Sequence, residues 1–334
     1  LLAALPAALP LRVPLRGGAA VAAVALAWGG AMLYARAVPD PPAEDGAPMV
    51  RIVQPNAPQD EKWAPGRAQD FFFRAVDFTA AGSAPDLVVW PETSVPVFLS
   101  QAGPAFEQIA AAARGAPTVV GIQRWDGVRF WNSLAVVGAD GGQAALYDKA
   151  HLVPFGEYVP LAGLMARFGI YGLAANEGGG YTPGPGGQTV DIPGLGPALP
   201  LICYEGIFAE EVRAVQPRAR VMVLITNDAW FGEVSGPYQH LAQAQLRAIE
   251  MGLPMIRAAN TGVSAVIDAR GRLVTAIPLG EAGWRDAPLP PALPPPLYAR
   301  IGDGPVVFAL LAALSVTLVL SRRRYRIDPT AARP

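Results

Sequence analysis

A chain of 334 residues that is 52% hydrophobic and only 16% charged is long enough for one large domain or two ordinary ones, and too apolar for a purely soluble protein. Its net charge of -1, with no basic stripe interleaved with aromatics, gives no reason to expect nucleic acid as a partner. The single cysteine excludes an internal disulfide, and the two histidines stand far from cysteines or acidic pairs, so neither a metal site nor a cofactor is expected.

Residues 1–11 are apolar but broken by Pro6 and Pro10, and they lack a basic n-region followed by a cleavage site. They do not read as a signal peptide, and the sequence is expected to begin inside a larger membrane domain. Residues 17–35 carry no charge and as a helix would span roughly 28 Å, close to the hydrocarbon thickness of a bilayer. A second uncharged run, 304–321, is followed at once by Arg322, Arg323, Arg324 and Arg326. Arg12 and Arg16 precede the first run, and Asp40, Glu44 and Asp45 follow it. The positive-inside rule then puts both outer ends in the cytoplasm and everything between them outside, which in a bacterial inner membrane means the periplasm. The expected organisation is a transmembrane segment over 1–38, an extracytoplasmic domain over 39–287, a proline-rich tether over 288–303, a transmembrane helix over 304–321 and a basic cytoplasmic tail over 322–334.

Between the two runs, strand and helix periods are mixed. Strands are predicted at 49–54, 86–90, 118–123, 133–137 and 144–147, the last entered through the turn Asp140-Gly141-Gly142. Helices are predicted at 67–81, with Phe71, Phe72, Ala75 and Phe78 on one side, and at 104–114. After a glycine- and proline-rich loop come strands at 189–192, 199–203 and 221–226, a helix at 207–215 before the last of these, a helix at 237–251, and strands at 255–259, 263–268 and 273–277. This order indicates an α/β sandwich with helices on its outer faces. The connection 160–180 is unusually apolar for an exposed loop, with Leu161, Leu164, Met165, Phe168, Ile170, Tyr171 and Leu173, and is expected to form a lipid-facing lid.

Three reactive side chains stand at the ends of predicted strands. Glu92 follows Leu87-Val88-Val89-Trp90-Pro91, Lys149 follows Leu146-Tyr147-Asp148, and Cys203, the lone thiol, follows Leu201-Ile202 at a strand-to-helix elbow. An isolated cysteine in an apolar run is ordinarily a small core hydrophobe. Its company gives it another purpose. A free thiol is only about 3% thiolate at neutral pH, and both a carboxylate base and a neighbouring ammonium would raise the reactive fraction or aid its formation. Glu92 would take the thiol proton, Lys149 would stabilise negative charge, and the Tyr204 N–H at the expected helix entry would help to hold an oxyanion.

The stretches Trp90-Pro91-Glu92-Thr93, Tyr147-Asp148-Lys149-Ala150-His151-Leu152-Val153-Pro154-Phe155-Gly156-Glu157 and Cys203-Tyr204-Glu205 together resemble the nitrilase superfamily and its Glu-Lys-Cys triad. Thr226-Asn227-Asp228-Ala229-Trp230-Phe231-Gly232 and Arg257-Ala258-Ala259-Asn260-Thr261-Gly262 narrow the likeness to the apolipoprotein N-acyltransferase family. The resemblance implies a nitrilase-like αββα sandwich inserted between transmembrane helices. It also implies transfer of an acyl chain from a membrane phospholipid to the N-terminal amine of a diacylglyceryl-cysteine lipoprotein, through a thioester on Cys203 in a ping-pong sequence. Two alternatives share parts of the pattern: a nitrilase-like amidase acting on a small amide, and a non-catalytic lipid- or lipoprotein-binding module.

By the same likeness Glu157 is a second active-site glutamate that orients Lys149 or holds the proton of the amine nucleophile. Glu205 is an acidic residue of the site, or else a helix N-terminal acid favoured by the dipole. Tyr204 lies in the same bend. Trp63, in Gln59-Asp60-Glu61-Lys62-Trp63, is expected near the acyl chain, with Trp230 and Phe231 as a wall of the pocket or as packing. Asn227 and Asp228 are expected to cap a turn, and His151 to make structural hydrogen bonds.

Overall fold

The computed structural model describes residues 13–37, 45–161, 167 and 180–327. The chain divides into two units, Ala43–Arg300 and a second made of Leu1–Pro42 with Ile301–Pro334.

In the larger unit, apolar side chains two residues apart set the layers, because successive strand residues point to opposite faces. One sheet has the order β12-β1-β2-β3-β4-β5, from Gly283–Pro288, Met49–Gln54, Leu87–Val89, Thr118–Trp125, Phe130–Val137 and Gln143–Asp148. The other has the order β11-β10-β9-β8-β7-β6, from Leu273–Ile277, Ser264–Ile267, Met255–Ala259, Val221–Thr226, Gly196–Ile202 and Val190–Ile192. Val50, Ile52, Leu87 and Val89 of the first sheet share a buried cluster with Val221, Val223 and Ile225 of the second. The alternate residues Met222 and Leu224 instead pack with Leu241, Ala244 and Ala248 of the helix Gly236–Met251. On the opposite outer face, Val88 and Trp90 pack with Phe72 of the helix Arg67–Ala80 and Phe106 and Ile109 of the helix Gly103–Ala113. The result is helix, sheet, sheet, helix, each fully buried aliphatic contributing roughly 1.5–3 kcal/mol of transfer free energy.

Three expectations need correction. Residues 283–288, which sequence reasoning left unassigned, form β12, the edge strand antiparallel to β1. It is held by the fully buried Arg51, whose Nε donates to Asp286 Oδ1 (2.7 Å) and whose guanidinium lies 4.2 Å from the Trp284 ring centre. The following proline-rich segment is not a free tether. Leu289 is buried, the Leu293 N–H donates to Gly252 O (2.9 Å), and Arg218 Nη2 donates to Leu293 O (2.7 Å). The third concerns the elbow: the helix expected over 207–215 is present as the shorter Ala209–Ala214, but a 3₁₀ turn, Cys203–Ile207, stands between it and the strand. Cys203 is therefore presented by a strand-to-3₁₀ turn and not by the start of an α-helix.

The smaller unit contains the helices Val13–Ala37 and Gly304–Ile327, which hold the two apolar runs. Leu26, Trp28, Val307 and Phe308 on them are exposed. Among the described residues no helix is long and apolar enough to cross a membrane. Arg12, Asp40 and Glu44 lie outside the described residues, as do the side chains of Arg16 and of the arginine cluster 322–326. Of the apolar loop 160–180, residues 162–166 and 168–179 lie outside them too, and with these most of the expected lid.

Candidate active site

Strands β1, β2 and β3 run parallel, as do β7, β8 and β9. With β4 antiparallel to both β3 and β5, β5 shares the direction of β3. Glu92, Lys149 and Cys203 each follow the C-terminal end of one of these strands, and all three are buried.

The structure brings Glu92 and Lys149 together, and the charges of both act on the Cys203 thiol. Lys149 Nζ donates to Glu157 Oε1 (2.9 Å) and lies 3.6 Å from Glu92 Oε1. Asn132 Nδ2 donates to both carboxylates, to Glu92 Oε1 at 2.6 Å and to Glu157 Oε1 at 3.1 Å. The Asn227 backbone N–H donates to Glu92 Oε2 (2.8 Å), and the Val153 N–H to Glu157 Oε2 (2.8 Å). Two carboxylates thus flank one ammonium, and an amide bridges the carboxylates. Burial works against the Lys149 charge, but Glu92, Cys203 and Glu157 outweigh it and hold the ammonium above its ordinary pKa.

Cys203 has a left-handed backbone, φ 51°, a costly conformation for a residue with a side chain. Burial, and then the Glu92 charge, push its thiol up to about 12, with Lys149 and a hydrogen bond with the Thr226 side chain pulling the other way. The resting group is the thiol. Of the two expected effects of its neighbours, a larger thiolate fraction at rest is opposed by burial and by the Glu92 charge, so attack calls for a base to remove the proton as it occurs.

Glu92 sits on an unusual turn. Thr93 is β-branched and has φ 45°. A Cβ on Gly121 of β3 would collide with the Thr93 nitrogen and lie 2.5 Å from Glu92 Cα, so only glycine lets this turn rest on the strand. Lys62 fastens the turn from the other side, its buried Nζ donating to Glu92 O (3.1 Å) and Thr93 Oγ1 (2.8 Å). Burial lowers Lys62 to about 8, the Glu92 charge opposing the shift. A lysine that sheds its proton more easily folded than unfolded makes stability rise with pH between about 8 and the ordinary lysine value. We expect chemical denaturation to show the stability of the native chain, relative to Lys62→Met, growing by roughly 3 kcal/mol across that window. A flat difference would mean that Lys62 is not desolvated.

Glu205 lies beside this cluster and not inside it. Its Oε1 accepts from Tyr147 Oη (2.7 Å) and the N–H groups of Ala150 (2.7 Å) and His151 (3.2 Å), and its Oε2 from the Ile202 N–H (2.8 Å). It therefore ties the Lys149 strand end to the cysteine turn, while capping the start of that turn. Burial pushes its carboxyl upward against those hydrogen bonds. Tyr204 packs edge-on against Phe208 and His151, and His151 stacks on Phe208 and contacts Glu211 Oε1 through Nδ1 (2.7 Å). Trp63, Trp230 and Phe231 are all substantially exposed, and Phe231 meets the His240 ring edge-on. A crevice lined by Lys62, Trp63, Phe71, Glu92 and Thr93 joins Trp63 to the Glu92 turn. A larger cleft, about 410 Å³, borders His151, Glu205 and Glu211, and its lining includes none of Glu92, Lys149 and Cys203. Among the described residues no group of three or more His, Cys, Asp or Glu could hold a metal ion.

Sequence reasoning missed Asn132, whose signal is a polar residue inside the apolar strand β4. It also misjudged Asn227 and Asp228, which cap nothing with their side chains. Asn227 receives a hydrogen bond from Asn260 Nδ2 (2.9 Å) and donates to Gln59 Oε1 (2.7 Å), while Asp228 pairs with Arg257 Nη2 (2.6 Å).

Residues 43–292 match the carbon-nitrogen hydrolase family. The chain is 41% identical over 291 residues to the apolipoprotein N-acyltransferase of Rhodopseudomonas palustris, covering 82% of this chain and 54% of that one. It is also 41% identical over 296 residues to that of Bradyrhizobium diazoefficiens, covering 84% and 55%. The chain thus spans about half the length of the curated relatives it matches. Among solved structures, Saccharomyces cerevisiae Nit3, a member of branch 10 of the nitrilase superfamily, superposes with a TM-score of 0.53 at 19% identity, covering 79% of this chain and 97% of that one. An amidase from Nesterenkonia in complex with acrylamide gives 0.56 at 17% identity, covering 81% and 99%. These likenesses bear on the fold alone.

Proposed function

The chain belongs to the carbon-nitrogen hydrolase family, and from that premise we propose that it is the catalytic part of an apolipoprotein N-acyltransferase. The reaction is acyl transfer from a membrane phospholipid to the N-terminal amine of a diacylglyceryl-cysteine lipoprotein. The observation that carries the proposal is the placement of the only thiol, on a left-handed turn, electrostatically coupled to a buried ammonium flanked by two carboxylates.

In this reading Glu92 accepts the Cys203 proton as Sγ attacks the ester carbonyl of the phospholipid. Lys149 and the Tyr204 N–H hold the oxyanion, and Glu157 and Asn132 hold Lys149 and Glu92 in register. Collapse breaks the ester C–O bond, and the lysophospholipid alkoxide leaves with the proton from Glu92. The acceptor amine then attacks the thioester carbonyl and gives up a proton to Glu92. The C–S bond breaks, and the thiolate is reprotonated. Trp63, Trp230 and Phe231 would contact acyl chains, and Tyr204 and Glu205 would shape the site from the cysteine turn. Lipid substrates favour a membrane setting: the apolar runs 17–35 and 304–321 would be crossings of the bacterial inner membrane, with the domain on the periplasmic side. The bare apolar side chains of the two helices support this, since large exposed apolar surface calls for a partner.

The test is to incubate the full-length protein with phospholipid alone and examine the Cys203 peptide by mass spectrometry. We expect an acyl increment that moves to a diacylglyceryl peptide on its addition. An increment that never forms, or that is lost only to water, would favour the amidase reading.

A further inference from the structure

A second buried charge cluster lies directly beneath the thiol. Asp228, fully buried, pairs with the fully buried Arg257 (2.6 Å) and contacts His240 Nδ1 through Oδ1 (2.9 Å). Burial works against the Asp228 charge, but Arg257 and His240 outweigh it and keep the carboxyl well below the usual carboxylate range. The other ring nitrogen, His240 Nε2, lies 3.2 Å from the backbone carbonyl oxygen of Cys203. That oxygen can only accept, so Nε2 is the donor. From the same carboxylate a second arm runs to the end of strand β8, where Thr226 Oγ1 donates to Asp228 Oδ1 (2.9 Å). The network grips Cys203 by its carbonyl. Gly262 makes room for it, because a Cβ there would collide with Asp228 Oδ2.

We propose that His240 is a positioning residue for the nucleophile, its Nε2–H holding the Cys203 carbonyl so that the left-handed turn aims the thiol at Lys149 and Glu92. A left-handed residue other than glycine is strained and persists only where its surroundings over-determine it. Cys203 has such surroundings in this hydrogen bond, itself braced by Asp228 and Arg257. Without it the turn relaxes toward negative φ, and the thiol leaves the place where it feels the opposed charges of Glu92 and Lys149. The inference rests on reading Cys203 as the nucleophile, but its test does not require an acyl donor.

Because Cys203 is the only cysteine, alkylation by iodoacetamide reports on it alone in the full-length protein. Two variants separate the two ring nitrogens. His240→Gln places an amide N–H near the position of Nε2 and keeps the grip on the carbonyl, whereas His240→Asn keeps only the contact near Nδ1 with Asp228. We expect His240→Asn to change the alkylation rate at pH 8 about tenfold and to displace the pH-rate profile by about one pH unit, and His240→Gln to restore most of the change. A space-filling or purely structural role predicts no such difference between the two amides. The proposal is overturned if His240→Asn alkylates like the native chain, or if His240→Gln departs from it as far as His240→Asn does at temperatures well below both unfolding midpoints. Should His240→Asn not fold, the native chain and His240→Gln decide it: coincident pH profiles support the proposal, and a displaced profile overturns it.

Discussion

Cys203→Ala should yield no acyl-enzyme at all, with acyl transfer falling by about 10⁵-fold or more, while the domain still folds. The size of the effect follows from chemistry that nothing else nearby can supply. Glu92 and Glu157 are committed to Lys149 and Asn132, and Lys149 is held protonated between them, so neither a carboxylate nor an amine is free to replace sulfur as nucleophile. The fold should survive, since the change removes one atom from a cluster that includes Val223, Ile225 and Leu134 and leaves a small void costing on the order of 1 kcal/mol. The measurement is intact-protein mass spectrometry after incubation with phospholipid, beside a thermal unfolding curve. An acyl increment persisting in Cys203→Ala would remove the thioester from the mechanism and place the acceptor on another side chain.

Much of this site was legible in the sequence because the groups that carry it follow strands with unmistakable apolar runs. Leu87-Val88-Val89 and Leu199 through Ile202 announce buried strands, and a charged or reactive residue just beyond such a run has little choice but to stand at a sheet edge. What could not be read is the bridge between the carboxylates, since Asn132, 40 residues from Glu92, joins Glu92 and Glu157 only once β4 is seated beside β3. The strand β12 escaped for a physical reason: it is an edge strand with a single buried residue, Ala287, so it carries no two-residue alternation, and its place is set by Asp286 meeting Arg51 across the ladder. The elbow was misjudged because nothing in the run into Ile207 through Val215 announces the tighter 3₁₀ turn, Cys203–Ile207, that separates the strand from the helix Ala209–Ala214. The error matters chemically. A helix start would have offered a dipole to a resting thiolate, but the turn and its burial favour the neutral thiol.

That neutral thiol makes Glu92→Gln the sharper experiment, because two readouts should move in opposite directions. As a base, Glu92 must take the sulfur proton during attack, and its loss should slow acyl-enzyme formation by about 10²–10⁴-fold. As a charge, the same carboxylate is one of the causes that raise the thiol to about 12, so neutralising it should lower that value and make Cys203 more easily alkylated by iodoacetamide between pH 8 and 10. Lys149 remains charged through Glu157, at 2.9 Å, and keeps its pull on the sulfur. The glutamine can be accommodated, because the Asn132 amide has an unpartnered Oδ1 that can turn to accept the new N–H, while the glutamine oxygen takes the Asn227 N–H. A thiol that becomes more reactive toward a small alkylator while acyl transfer collapses identifies the carboxylate as the proton acceptor, and a general loosening of the site would slow both. If acylation keeps its native rate in Glu92→Gln, the proton must leave by another route, and the Glu92 carboxylate serves only to pair with Lys149.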